Sequence, residues 1–349
     1  MDKLISIIVP CYNVECYVER CFTSLMNQTI GVEHLELIFV DDCSTDATWE
    51  HLVAIEARCP ESVMIVHCDE NGRQGKARNI GLTYASAPYI GFVDADDWVE
   101  PDMYEKMYSK LQEYRCDIAM CQNWRDFDKE GQNLSTKETG VEDRCLNIDT
   151  MDKRKIFLAC SSIGFGVWDK LYKAELLLDN EIYFPEKLSY EDHYFSILLY
   201  FYAKRIYILE ERLYHYFVNE QSTVLSSNSS HHFDILTVDA LWWEECEKRG
   251  LMKEFKAELE YQFLSLCYLA AIKMMILRLA DVPYDFFLQL KEETNKRVSD
   301  YHTNPYVKEL VTDLNKLLLE LLDMPITEPE FKEICNNLRD YVRKGILSI

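Results

Sequence analysis

The 349-residue sequence predicts an α/β protein: a mostly parallel sheet flanked by helices, followed by an all-helical C-terminal extension. Three observations carry that expectation. Over residues 4–114, four apolar, largely β-branched segments alternate with four segments of helical periodicity. A small polar run, SSNSSHH (226–232), then reads as a linker, and beyond it apolar residues recur at helical spacing. Repeated strand–helix alternation requires crossover connections, which cover a parallel sheet with helices.

The elements follow in order. LISIIV (4–9), ended by Pro10, is a buried strand, and NVECYVERCFTSLMNQ places Val14, Tyr17, Val18, Cys21, Phe22 and Leu25 on one helical face. The pattern repeats as LELIFVDD (35–42) with DATWEHLVAIEARC (46–59), and as VMIVHC (63–68) with KARNIGLTYA (76–85). YIGFVDADD (89–97) with PDMYEKMYSKLQEY (101–114) completes the alternation. CDIAMCQNW starts a further strand, and 126–149 reads as a long loop. IGFGVWDKLYKAELL then predicts a helix, FPEKLSYEDHYFSILLYFYA a turn and a helix, and RIYILEERLYHYFV a closing strand pair. The expected division is 1–225, with halves 1–115 and 116–225, and a helical domain over 230–349.

Sixty acidic against 37 basic side chains give a formal net charge of −23, which excludes broad nonspecific binding to nucleic acid or anionic lipid. A phosphate-bearing ligand must therefore be drawn in by a few local cations or a divalent metal. Thirteen cysteines without a C-x-x-C pair read as reduced core thiols, and the spacing of five between Cys11, Cys16 and Cys21 is not a zinc spacing. MDKLISIIVP is too short an apolar run for a signal peptide, and no stretch reaches about 18 uninterrupted apolar residues, so a cytoplasmic location is expected.

In open α/β sheets ligands bind at the carboxyl ends of strands, and four polar clusters fall there or nearby. In VDDCSTDAT (40–48), Ser44, Thr45 and Asp46 suit a helix cap, but Asp41 and Asp42 do not, and a carboxylate in a pocket floor can accept an imide N–H. NGRQGKARN (71–79) sets Arg73, Lys76 and Arg78 among glycines at a helix start, as a solvated turn or a diphosphate contact. GFVDADDWVEP (91–101) crowds Asp94, Asp96 and Asp97 together; either Asp97 caps the next helix while the others face water, or a hard divalent cation supplies the counter-charge. KLSYEDHYF (187–195) puts Glu191, Asp192 and His193 at a helix start, where acidity is ordinary but a hydroxyl-activating base also fits.

Taken together, VPCYNVECYV, VDDCSTDAT, NGRQGKARNIGL and FVDADD resemble, in order and spacing, the inverting glycosyltransferases of family 2, which have the GT-A type fold. The resemblance covers roughly residues 3–223, and GVWDKLYKAELL with YEDHYF is similar to the acceptor half of bacterial members that build surface polysaccharides. It implies a UDP-sugar donor, with Pro10, Tyr12 and Asn13 lining the base pocket and Asp42 binding the uracil imide. Asn71, Arg78, Asp94 and Ala95 would complete the donor site, and Asp96 would hold Mn²⁺ or Mg²⁺. Asp192 would be the base, with Glu191 beside the acceptor or sugar; the acceptor itself would be a saccharide, lipid-linked in capsule, O-antigen or exopolysaccharide synthesis.

One departure stands out. Relatives often carry an arginine where this chain has Phe217, which leaves a phosphate contact from that strand to Ser222, to His215 or to no residue. In the helical extension, Trp242, Trp243 and LAAIKMMIL read as core, with an amphipathic surface for a membrane or a second copy as the alternative, to be judged by exposure of Met274, Met275 and Leu277. Two rival functions also stand: a nucleotidyltransferase, for which no glycine-rich triphosphate loop follows the first strand, and a non-catalytic UDP-sugar-binding scaffold.

Overall fold

The computed structural model describes residues 2–127, 139–160, 163–218, 230–279 and 283–344. Ser222 and residues 226–229 of the polar linker lie outside the described residues. Contacts divide the chain into two compact units, Met1–Arg154 with Ile163–Ser222, and Lys155–Ser162 with Thr223–Ile349.

The first unit is built on one nine-stranded sheet. Its strands are β1 (Ile5–Cys11), β2 (Leu35–Asp41), β3 (Val63–His67), β4 (Tyr89–Phe92), β5 (Trp98–Val99), β6 (Ile118–Phe127), β7 (Arg144–Asn147), β8 (Lys170–Lys173) and β9 (Arg205–Val218). They lie in the order β3-β2-β1-β4-β8-β6-β9-β5, with β7 also on β9. The first four are mutually parallel, β8 runs antiparallel between β4 and β6, and β6 and β9 are parallel.

Helices α1 (Val18–Met26), α2 (Thr48–Arg58), α3 (Arg73–Tyr84) and α4 (Met103–Tyr114) follow the first strands, as the alternation predicts. Farther along come α5 (Met151–Cys160), α6 (Ala174–Leu178) and α7 (Glu191–Tyr202). Every residue of β1 is buried, which is why its sequence runs apolar without alternation. α1 presents Val18, Cys21, Phe22 and Leu25 to the same core.

Three local expectations are corrected. Residues 163–177 are not one helix but contain β8 and then the short α6, because the polar pair Asp169 and Lys170 is itself buried, the two side chains joined at 2.6 Å. Residues 205–218 form one strand rather than a pair. The charged run EER does not interrupt the strand, because Glu210 is buried and held by Gln122 and Arg144. The cysteines are all free thiols, but Cys16, Cys145 and Cys160 are exposed and so are not core residues.

The second unit is helical among its described residues, with Asp234–Lys248, Met252–Phe263, Ala270–Arg278, Tyr284–Arg297 and Glu328–Arg343 the longest helices. A π-turn over Leu264–Leu269 joins the second and third. Trp242 and Trp243 are buried, as are Leu269, Ala271, Ile272 and Ile276 of the LAAIKMMIL run, so these residues are core as expected, and Phe287 stacks on Phe331 at 4.1 Å beside them. Met275 is buried while Leu277 is half exposed. Thr327 and Glu330 form a capping box that fixes where the last helix starts.

The contact of α3 with β1 yields a test of the packing. A Cβ on Gly81 would lie 2.4 Å from Ile8 Cγ2, whereas one on Gly164 would meet nothing within 4 Å. Gly81→Ala is expected to lower the urea-unfolding free energy by about 1–3 kcal/mol. Gly164→Ala should stay within about 0.5 kcal/mol of the parent.

Candidate active site

Parallel register brings the C-terminal ends of β1, β2 and β4 to one edge, with Cys11 opposite Asp41 and Ile8 opposite Phe92. Pro10 is buried in the ladder opposite Val40, and the chain then emerges at Tyr12, which is half exposed. Asn13 adopts φ 51°, a left-handed conformation that asparagine tolerates. Its N–H donates to Ser44 Oγ at 3.0 Å and its Oδ1 accepts from the Thr45 N–H at 2.8 Å. Ser44 and Thr45 thus brace the loop after β1; only Asp46 acts at the helix start, accepting from the Thr48 N–H.

The two aspartates after β2 divide their work. Asp41 is fully buried against His67 Nδ1 at 2.7 Å and is a structural residue. Asp42 accepts from the Gly72 N–H at 2.8 and 3.1 Å, and its carbonyl accepts from Asn71 Nδ2 at 3.1 Å. Burial pushes the Asp42 carboxyl above its usual range, and the Gly72 N–H opposes that shift. Asp42 therefore shapes the loop that leads into α3 and carries Asn71 with it.

Arg78, on α3, is buried and joins the sequence clusters. Its Nη1 lies 2.5 Å from Glu191 Oε1 and its Nη2 lies 2.7 Å from Asp94 Oδ1. Burial alone would weaken its charge, but Asp94 and Glu191 outweigh burial and hold the guanidinium charged. Burial likewise raises the Glu191 carboxyl, with Arg78 pulling the other way. The segment leading to Glu191 is tied to the same helix: Lys187 N–H donates to the Gly72 carbonyl at 2.9 Å, and the Asn79 side chain bonds both the Phe184 carbonyl and N–H. Asp192, in the first turn of α7, is only partly buried and lies within electrostatic reach of Arg78 and Glu191. Its neighbour His193 has a buried Nδ1 without a hydrogen-bond partner among the described residues.

The acidic loop is ordered by β9. Asp97 is buried, accepting from the Tyr214 hydroxyl at 2.6 Å and the Phe217 N–H at 2.7 Å, so it does not cap α4. The Asp94 N–H donates to the same Tyr214 oxygen at 3.2 Å. Burial first, then repulsion from Asp96 and Asp94, pushes the Asp97 carboxyl well up. Ala95 is buried between its acidic neighbours. Burial and the neighbouring Asp94 push Asp96 up to about 6.

Among the described residues no three His, Cys, Asp or Glu side chains converge to form a metal cage. Asp94 and Asp97 are committed to protein partners, whereas the Asp96 carboxylate accepts no hydrogen bond from another described residue. One available carboxylate fits a hard cation whose other ligands are phosphate oxygens and water. His215 is not free for phosphate: Asp126 engages its Nδ1 at 2.9 Å and Glu100 its Nε2 at 3.3 Å. Sequence reasoning missed Tyr214 and Trp168, which stack at 4.5 Å behind the acidic loop. The alternating aromatics Tyr214 and Tyr216 in a strand were the available signal.

This geometry makes Arg78 a stability determinant. Arg78→Ala leaves two carboxylates without their cation and is expected to cost about 3–5 kcal/mol in urea unfolding near neutral pH. Losing Arg78 removes what holds Glu191 down, so its folded pKa rises further above the unfolded value. The penalty should therefore grow as pH rises through the carboxylate range and shrink in acid.

Residues 6–169 match the family model for glycosyl transferase family 2. Poly(ribitol-phosphate) beta-N-acetylglucosaminyltransferase TarS of Staphylococcus aureus is 30% identical over 263 residues, 74% of this chain and 43% of the relative. Glycosyltransferase GlyA of Streptococcus pneumoniae is 32% identical over 64% of this chain and 32% of its own length, and GlyG of the same organism is 29% identical over 76% and 92%. The chain thus spans less than two thirds of TarS and GlyA. In three dimensions, S. aureus TarS 1–349 in complex with UDP-GlcNAc has a TM-score of 0.70 at 22% identity, covering 98% of this chain and 92% of that one. Residues 6–169 of the chain thus match the glycosyl transferase family 2 model, and the fold is that of TarS 1–349.

Proposed function

We propose that the protein is an inverting glycosyltransferase that moves a sugar from a UDP-sugar donor to a hydroxyl of a saccharide acceptor. The observation that carries this reading is the buried Asp94–Arg78–Glu191 bridge, which fastens the acidic strand-end loop to the helix bearing Asp192. A donor seat and a candidate base are thereby parts of one rigid unit. The TarS complex with UDP-GlcNAc supports a uridine donor. A saccharide acceptor, lipid-linked in surface-polysaccharide synthesis on the cytoplasmic side, is the part of the reading that rests on the resemblance of the sequence clusters alone.

In this reading Pro10, Tyr12, Asn13 and Asp42 receive the uracil, with Tyr12 stacking on the base, and Asn71, Asp94 and Ala95 lie along the nucleotide. Arg78 acts through its two carboxylates, keeping Asp94 and Glu191 in place. Asp96 would hold Mn²⁺ or Mg²⁺, which when bound neutralises charge on the leaving diphosphate. Asp192 takes the proton from the acceptor hydroxyl, that oxygen bonds to the anomeric carbon, and the bond from that carbon to the UDP oxygen breaks. A single displacement inverts the configuration and requires no covalent enzyme intermediate. Glu191, buried on Arg78, orients the first turn of α7.

UDP release from a panel of UDP sugars with Mn²⁺ tests the reading, and failure of every UDP sugar to bind would contradict it. Asp192→Asn is expected to lower kcat by about 10²–10⁴-fold while UDP affinity is kept. A non-catalytic scaffold predicts no change in any property. Asp96→Asn should abolish the gain in UDP affinity that Mn²⁺ gives the parent, with binding in EDTA unaltered, as titration calorimetry would read.

A further inference from the structure

We propose that Arg20 is a diphosphate-binding residue of the donor site, an inference that rests on the UDP-sugar reading. Arg20 lies on α1, beside the acidic loop, and its Nη2 donates to the Asp96 carbonyl at 2.6 Å. That is the one hydrogen bond of its side chain among the described residues, and its Nε is buried without a partner among them. In a chain of net charge −23 an arginine this close to three aspartates would be expected to form an ion pair, yet none is made among the described residues. The neighbouring cations differ: Arg78 is bound to Asp94 and Glu191, and Lys76 and Lys187 share Glu70.

What fixes Arg20 instead is a stack of rings. Its guanidinium carbon sits 3.9 Å from the Trp98 ring centroid and 4.6 Å from that of Phe217. Trp98 lies nearly parallel to His215, 4.8 Å away at 13°, and His215 to Trp124, 6.0 Å away at 15°. Asp126 and Glu100 pin the His215 ring from both nitrogens. The guanidinium is thus held over the Trp98 ring and against Phe217, contacts that use none of its N–H donors, and only Nη2 has a hydrogen-bond acceptor among the described residues. A guanidinium fork with spare donors matches the oxygens of a phosphate, and its charge is placed at the loop that carries Asp96. Phe217 serves as one face of that stack, so the position that lacks an arginine side chain on β9 supports one arriving from α1.

Equilibrium binding of UDP, UMP and uridine to the full chain tests this, with wild type, Arg20→Lys and Arg20→Met compared and thermal unfolding followed in parallel. Arg20→Met should weaken UDP about tenfold or more and leave uridine within about twofold, with Arg20→Lys in between. Equal weakening of UDP and uridine, or no change in either, would overturn the assignment. If Arg20→Met does not fold, the Arg20→Lys variant decides it by the same criterion. A wild-type protein that binds neither UDP nor uridine would instead refute the donor reading, and this inference with it.

Discussion

The candidate site depends on one buried cation. Arg78 sits where the acidic loop after β4, the loop before α3 and the start of α7 meet, and its guanidinium is divided between Asp94 and Glu191. Such a triad is costly to desolvate and is retained only when each charge has its counterpart. Because the partners lie 16 and 113 residues away in sequence, satisfying Arg78 forces the two halves of the first unit into a single arrangement. Function then inherits what electrostatics requires: the strand-end carboxylates and Asp192 cannot drift apart without exposing or orphaning a charge.

A second layer of order comes from β9. The Tyr214 hydroxyl ties Asp97 to the Asp94 backbone, and Phe217 N–H takes the other Asp97 oxygen, so two of the three clustered aspartates are bound by protein. Asp96 is left as the carboxylate with capacity for an external cation. The repulsion evident in the DADD run is therefore resolved unevenly: Arg78 answers Asp94, hydrogen bonds answer Asp97, and a ligand is left to answer Asp96. Preorganisation of this kind is what allows a site to bind charge without reorganising at the moment of reaction.

Much of this was legible in the sequence, and the remainder failed for identifiable reasons. The β1–α4 alternation was readable because β1, β2 and β4 are buried almost throughout and the helices α1, α2 and α4 each bury one face, so burial writes directly into periodicity. β8 was not, since Asp169 and Lys170 satisfy each other inside the core and disrupt the pattern that marks a strand. The clusters at Asp42, Asn71, Asp94 and Glu191 could be located because charge at a strand end or helix start is visible locally. Which carboxylate meets which cation was not visible, and neither was the commitment of His215 to Asp126 and Glu100, because pairing across the sheet has no sequence signature.

The most direct measurement is a crystal structure of the protein soaked with UDP and manganese. The expected result is uracil beside Tyr12 and Asp42, diphosphate and manganese at the loop that carries Asp96, and Asp192 lining the same site with the Arg78 bridge intact. An acidic loop that binds nothing and turns to solvent, with Asp192 on a remote surface, would contradict it.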